Sequence, residues 1–272
     1  MLASRLLTAL VLVPLVFLAV LKLPESGFAA LAGLVVLGAG WELARLAALA
    51  SVPARLLALL LLALLLAGLY VQKEASWADL LLQGLAAWWL VNLVVLLSGR
   101  IEPRPIRGAH LLRLAAGMGF LAGAWLALVR LRSLEHGPEL VMFFLVLIWL
   151  ADSAAYFSGR NWGRRKLAPH ISPGKTVEGA LGALASAALF SLVPAITGWT
   201  SLSLPAAVLL GVATVAVSIG GDLWESVLKR ERGFKDSGSL LPGHGGVLDR
   251  IDSQIAAAPF FLAGLWLLGG RT

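Results

Sequence analysis

The feature that most constrains this chain is a succession of apolar runs, each close to the roughly 20 residues a helix needs to cross a bilayer. Charge, glycine or proline collects between them. About nine such runs can be traced on that length criterion, at residues 5–23, 27–47, 53–72, 77–98, 111–130, 138–158, 176–197, 204–228 and 251–269. In hydrocarbon every backbone N–H and C=O must be satisfied, and a helix does so within one segment. The expected fold is therefore all-α, a polytopic integral membrane protein. Composition agrees: of 272 residues, 59% are hydrophobic and 14% charged, too few charges to cover a water-facing globule. The first run is longer than a signal-peptide core and no small-residue cleavage site is obvious after it, so it is read as a retained span.

Orientation follows from lysine and arginine, which cytoplasmic loops carry in excess. With nine spans, 17 of the 22 basic residues fall on one side: Arg5, Arg45, Arg55, Arg100, Arg104, Arg107, Arg113, the group from Arg160 to Lys175 and the group from Lys229 to Arg250. Lys22, Lys73, Arg130, Arg132 and Arg271 fall on the other. The N-terminus is expected in the cytoplasm and the C-terminus across the membrane. The net charge of +7 lies between apolar spans, which points to anionic lipid and phosphate as partners and away from nucleic acid. With no cysteine in the chain, disulfide frameworks, thiolate metal sites and thiol nucleophiles are excluded.

The two halves differ in character. Residues 1–135 read as scaffold helices with surface for a homo-oligomer contact, and their charges read as orientation signals and interfacial anchors. Glu42 and Asp79 lie near the ends of apolar runs and are expected to face the interface or a neighbouring helix. Residues 136–272 form the catalytic region, because from Asp152 onward acids, bases, glycine and histidine gather into three clusters on one predicted side. In the first, Asp152 sits within or at the edge of a span, where an acid is costly unless a cation or donor is near.

The second cluster holds Arg164, Arg165, Lys166, His170, Ser172, Lys175, Thr176 and Glu178. Its Gly174-Lys175-Thr176 triplet looks like the end of a P-loop, but Pro169 stands where that motif needs its first glycine, so a P-loop is rejected. A basic, proline-punctuated loop feeding a helix N-terminus remains, able to hold a phosphate. In the third, Asp222, Glu225 or Ser226, and Lys229 share a helical face. A loop follows with Lys235, Asp236, Gly243, His244, Gly245 and Gly246, and the last helix opens on Asp249, Arg250 and Asp252. Oxygen ligands at two helix ends around a glycine-rich, lysine-bearing turn suit a hard divalent cation bound with a polyphosphate. The glycines would let backbone amides approach phosphate oxygens. His244 reads equally as a substrate contact or a support of the loop.

The stretch from Ser226 to Arg230, four residues, Lys235 to Gly238, and then Leu241 to Asp252 resembles the signature of phosphatidate cytidylyltransferases, also called CDP-diacylglycerol synthases. Asp152 to Gly159 and Ser172 to Gly179 are similar to that family as well. The resemblance implies a multi-span enzyme of a bacterial-type inner membrane with a cytoplasmic active site. It would condense CTP with phosphatidate to CDP-diacylglycerol and pyrophosphate. Mg2+ is the implied cofactor, with a second, monovalent cation such as K+ nearby. On that footing Asp222 and Asp249 are expected to hold magnesium, with Asp152 and Asp252 as further metal ligands. Lys229, Lys235, Asp236, His244 and Arg250 are the expected catalytic residues. Lys175, Arg230, Ser172, Thr176, Glu178, Gly245 and Gly246 are expected to bind substrate. Two rivals are a CTP-dependent lipid kinase, which would need a base to activate a hydroxyl, and an ion-coupled transporter or scramblase, which would place acids at mid-bilayer.

Overall fold

A computed structural model describes residues 13–105, 108, 110–241, 243 and 245–269. The first expected span lies partly outside the described residues, and its described part forms α1 (Val13–Lys22). The other eight appear as expected, to within a few residues. They are α2 (Glu25–Leu46), α3 (Val52–Val71), α4 (Ser76–Leu97), α5 (Leu111–Arg132), α6 (Gly137–Trp162), α7 with α8 (Val177–Phe190, Leu192–Ile196), α9 (Leu204–Glu231) and α10 (Leu248–Gly269). All eight are long and apolar enough to span a membrane. Their starts follow the usual punctuation: prolines stand in the first turn of α3, α6 and α9, where a missing N–H costs nothing. The Ser51 hydroxyl caps α3 by accepting from Ala54 N at 3.3 Å.

Two local features depart from the sequence expectation. The seventh span is interrupted at Ser191, because Pro194 in α8 cannot donate to the carbonyl of Phe190. The loop after α6 is a two-stranded antiparallel hairpin, β1 (Lys166–Ala168) and β2 (Ser172–Thr176), with Lys166 opposite Thr176 and Ala168 opposite Ser172. It is the only sheet among the described residues, on an otherwise helical scaffold.

The bundle is organised around α10, which packs against α9, α5, α4, α2 and α6. Small residues make this possible: Ala256, Ala257 and Ala258 are buried in its middle, and a Cβ on Gly221 of α9 would strike the backbone carbonyl of Asp252. Close backbone approach of this kind is how helices gain packing energy where lipid removes the hydrophobic drive. Trp88, Trp89, Phe120 and Trp224 form an aromatic cluster that ties α4 and α5 to α9, next to Glu225. On α3, Leu56, Leu57, Leu60, Leu61 and Leu64 are exposed, as expected of a lipid-facing helix.

Several charges inside the bundle are paired. Asp79 of α4 meets Arg130 of α5 at 2.9 Å, so Asp79 faces a neighbouring helix as its position suggested. Lys73 bonds Glu25 at 2.5 Å, and Arg132 donates to the carbonyls of Val20 (3.1 Å) and Leu23 (3.0 Å). These contacts place Lys73, Arg130 and Arg132 at one end of the bundle. At the other end Arg45 donates to the loop after α9 and Arg113 pairs with Glu231.

Candidate active site

α9 carries the site's central row. Its helix continues nine residues beyond Asp222, to Glu231, so Asp222 lies roughly 14 Å inside the helix end at 1.5 Å per residue and not at the end itself. Burial of Leu223 and Leu228 and the Glu225–Lys229 pair at 2.5 Å, spaced to share a face, carry the helix on. It stops at Gly233 (φ +68). There Gly233 N donates to Arg230 O at 3.0 Å and Phe234 N to Lys229 O at 2.8 Å. This is the paired closure that a left-handed residue permits.

The loop that follows is folded around Asp249. Its carboxylate accepts from Ser237 N (3.1 and 3.0 Å), Gly246 N (2.9 Å) and Lys229 Nζ (2.8 Å). Negative charge in the first turn of α10 is also favoured by the helix dipole. The amide of Gly246, expected to be open to phosphate, is thus already bonded inside the protein. Lys229 stands between Glu225 and Asp249.

A second group assembles one helical turn deeper. Asp222 forms an ion pair with Lys175 of β2 and accepts from Ser226 Oγ at 3.3 Å. The hairpin that presents Lys175 is pinned at several points. Glu178 accepts from Arg164 N (3.0 Å), Arg165 N (3.1 Å) and Arg165 Nε (3.0 Å). The Thr176 hydroxyl caps α7 by accepting from Gly179 N at 3.1 Å. Arg230 donates to Ile171 O at 3.3 Å, joining α9 to the hairpin. Asp152, Arg160, Lys175, Thr176, Asp222 and Ser253 line a cavity of about 450 Å³ between α6, α7, α9 and the hairpin.

The expected site residues therefore divide. Asp152, Asp222, Lys175 and Thr176 meet at the cavity. Asp249, Lys229, Gly245 and Gly246 form the adjoining loop group, where a Cβ on Gly245 (φ +84) would lie 3.3 Å from Asp249 Oδ2. Asp252, on α10, lies within electrostatic reach of Asp222 and Glu225, and Arg250 within reach of Asp152. Ser172 is half-buried in the hairpin, and Lys235 and Asp236 are exposed on the loop. Glu178 and Arg230 hold the hairpin and do not line the cavity. His244 lies outside the described residues. Asp222 and Asp249 each hold a different lysine, and among the described residues no three acidic or histidine side chains converge as a ready metal cage.

The chemistry of the donor set still fits a cation. Asp152, Asp222, Glu225, Asp249 and Asp252 face Lys175, Lys229 and Arg250, with Arg160 on the cavity wall. Fully ionised, this group has an excess of one negative charge. Glu225 Oε1 is buried and accepts no hydrogen bond among the described residues. A hard divalent ion with oxygen ligands supplies the charge this cluster lacks.

Glu42 faces a neighbouring helix, as its position suggested, but sequence reasoning did not bring it or Arg45 to this loop. Both lie on α2, and both reach this loop: Glu42 accepts from Ser237 Oγ (3.0 Å) and Leu248 N (2.9 Å), and Arg45 donates to Ser237 O at 2.6 Å. The available signal was an acid within an apolar run, which in a membrane is a functional candidate by default.

The fold and site define a class: a polytopic α-helical membrane protein with a carboxylate and lysine cluster beside an open cavity at one end of the bundle. The chain belongs to the cytidylyltransferase family, whose model it matches over residues 3–268. A phosphatidate cytidylyltransferase of Pseudomonas aeruginosa is 42% identical to it over 272 residues, spanning 99% of this chain and 98% of that protein. One of Haemophilus influenzae is 37% identical over 282 residues, spanning 96% and 97%.

Proposed function

We propose that the protein is a phosphatidate cytidylyltransferase, converting CTP and phosphatidate to CDP-diacylglycerol and pyrophosphate. The observation that carries this reading is the cavity where Asp152, Asp222 and Lys175 meet, in a chain whose full-length relatives bear that name. A phosphatidate oxygen attacks the α-phosphorus of CTP. The new P–O bond forms as the bond to the β-phosphate's bridging oxygen breaks, and pyrophosphate leaves with that electron pair. The attacking phosphate monoester is already anionic at neutral pH, so no strong base is required.

Asp222 and Asp249 are the residues that would hold Mg2+, with Asp152 and Asp252 beside them and a monovalent cation such as K+ as a second occupant. When bound, the divalent ion supplies neutralising charge to the pyrophosphate. Lys175, held on a pinned hairpin beside Asp222, turns its ammonium to a substrate phosphate. Lys229, Lys235 and Arg250 take the triphosphate, Asp236 and Asp252 orient them, and His244, Gly245 and Gly246 belong to the same loop. Arg230, Ser172, Thr176 and Glu178 keep the hairpin in place.

The site end of the bundle faces the cytoplasm, where CTP is dissolved, and the lipid arrives from the adjoining leaflet of a bacterial-type inner membrane. The N-terminal helices offer the surface for a homo-oligomer. The test is to incubate purified protein with CTP, phosphatidate and magnesium. CDP-lipid and pyrophosphate are the expected products. With diacylglycerol supplied in place of phosphatidate, formation of phosphatidate plus CDP would instead favour a CTP-dependent lipid kinase, and lipid or ion movement without CTP a transporter or scramblase.

A further inference from the structure

We propose that Glu42, assisted by Arg45, is a positioning residue that sets the carboxylate of Asp249 through Ser237, so that a helix of the N-terminal half shapes the reaction loop. The inference rests on the reading of that loop as part of the cytidylyltransferase site.

The geometry forms one continuous chain of bonds. Glu42 is only 2% exposed, and its Oε2 accepts from Ser237 Oγ at 3.0 Å and Leu248 N at 2.9 Å. Leu248 opens α10, so the second bond satisfies a helix N-terminal N–H that would otherwise be orphaned. Ser237, itself fully buried, passes the constraint on. Its N–H donates to both oxygens of Asp249, and its Oγ accepts from Asp249 N at 3.3 Å. Asp249 in turn holds Lys229.

Arg45 grips the same segment one turn further along α2. Its Nη2 donates to Asp236 O at 3.2 Å and Ser237 O at 2.6 Å, and its guanidinium lies 4.8 Å from the centre of the Phe234 ring. The loop backbone is shaped around the acid. A Cβ on Gly238 would run into the Glu42 carboxylate, and one on Gly246 into Ser237 Oγ and the same carboxylate, so both positions favour glycine because the Glu42–Ser237 pair fills the space. A buried carboxylate serving only packing would not need two glycines, a hydroxyl and a helix N–H arranged about it. Orientation of this kind commonly changes ligand-site affinity or activity about 10–100-fold when it is lost.

The test uses full-length protein and two readouts. The first is turnover of CTP and phosphatidate as magnesium is titrated. Glu42→Gln, which keeps size and one acceptor, is expected to lower turnover or raise half-saturating magnesium about tenfold or more. The second is amide hydrogen exchange without metal or nucleotide. Peptides covering residues 234–249 should exchange faster in Glu42→Gln, while those covering β1–β2 and α6 keep their rates. Ser237→Ala, which removes one oxygen, should shift both readouts the same way, and the double variant should add little to the larger single effect because the residues act in series. Wild-type turnover, magnesium dependence and exchange in Glu42→Gln would overturn the proposal. Should that variant not fold, the same wild-type result in Ser237→Ala overturns it. Absence of pyrophosphate with the unaltered protein would instead reject the assigned activity, and the exchange comparison would still decide whether Glu42 orders the loop.

Discussion

Asp222 and Asp249 differ in what a neutral replacement would do to them. Asp222 holds Lys175 and accepts from Ser226 at the cavity. Asn there keeps the size but removes the charge, and under the proposed role of Asp222 in holding magnesium, a loss of about 4 kcal/mol of charge stabilisation would slow turnover roughly a thousandfold. That drop at saturating magnesium, with folded protein recovered in normal yield, is the expected outcome of Asp222→Asn. Near-normal turnover would sink the assignment. Asp249→Asn should cost folded protein as well, because its three neighbours are all donors and an amide nitrogen in place of either oxygen would face two of them. These acids were singled out in the sequence because Asp222 follows an apolar span and Asp249 opens the last helix after a glycine-rich, lysine-bearing loop, a pattern that suits a hard cation with a polyphosphate. The role of Glu42 was not, since its partners Ser237 and Leu248 lie 195 and 206 residues away. Position within one apolar run says nothing about contacts formed at that distance.

At the level of elements, hydropathy located eight described helices to within a few residues, because the bilayer fixes their length. It overlooked what hydropathy does not measure. Pro194 interrupts a run that remains apolar throughout, and β1, at three residues, is too short to show alternation while β2 is broken by Pro173 and Gly174. Yet the hairpin delivers Lys175, and Thr176 beside it starts α7. The Thr176 hydroxyl accepts from Gly179 N, and its side chain packs where Gly159 and Gly163 leave room. Thr176→Val keeps that shape and deletes the cap, at a cost of about 1 kcal/mol. The unfolding midpoint in a fixed detergent should fall by roughly 2–4 °C for a chain of this size. Turnover should fall with it as the Lys175 strand loosens. Thr176→Ser, which retains the oxygen, should recover most of both. Equal behaviour of the Val and Ser variants would show that the hydroxyl does not set the hairpin.

Across the whole molecule, contacts between distant helices sort the basic residues as their alternation along the sequence implied. Arg45 reaches the loop after α9 and Arg113 reaches Glu231 at the site end. Lys73, Arg130 and Arg132 meet Glu25, Asp79 and the backbone of Val20 and Leu23 at the opposite end. The fold thus supplies two ends with unequal charge, and the proposed cytoplasmic placement of the site end rests on the 17 of 22 basic residues on that side of the sequence alternation, because translocating lysine and arginine is disfavoured during insertion. The chain has no cysteine, so a single introduced thiol reports its side without background. Ser239 is exposed on the loop at the site end, whereas the neighbouring Ser237 is buried and would be a poor reporter. Ser201 is exposed between α8 and α9 at the opposite end, its hydroxyl bonded only to the carbonyl of Gly269 in the hydrogen bonds described. In sealed inside-out vesicles an impermeant maleimide should label Ser239→Cys and spare Ser201→Cys, and right-side-out vesicles should give the reverse. Labelling of both from one face would contradict the helix count between them. Exchange of the two patterns would place the site outside the cytoplasm, where CTP could not be its nucleotide.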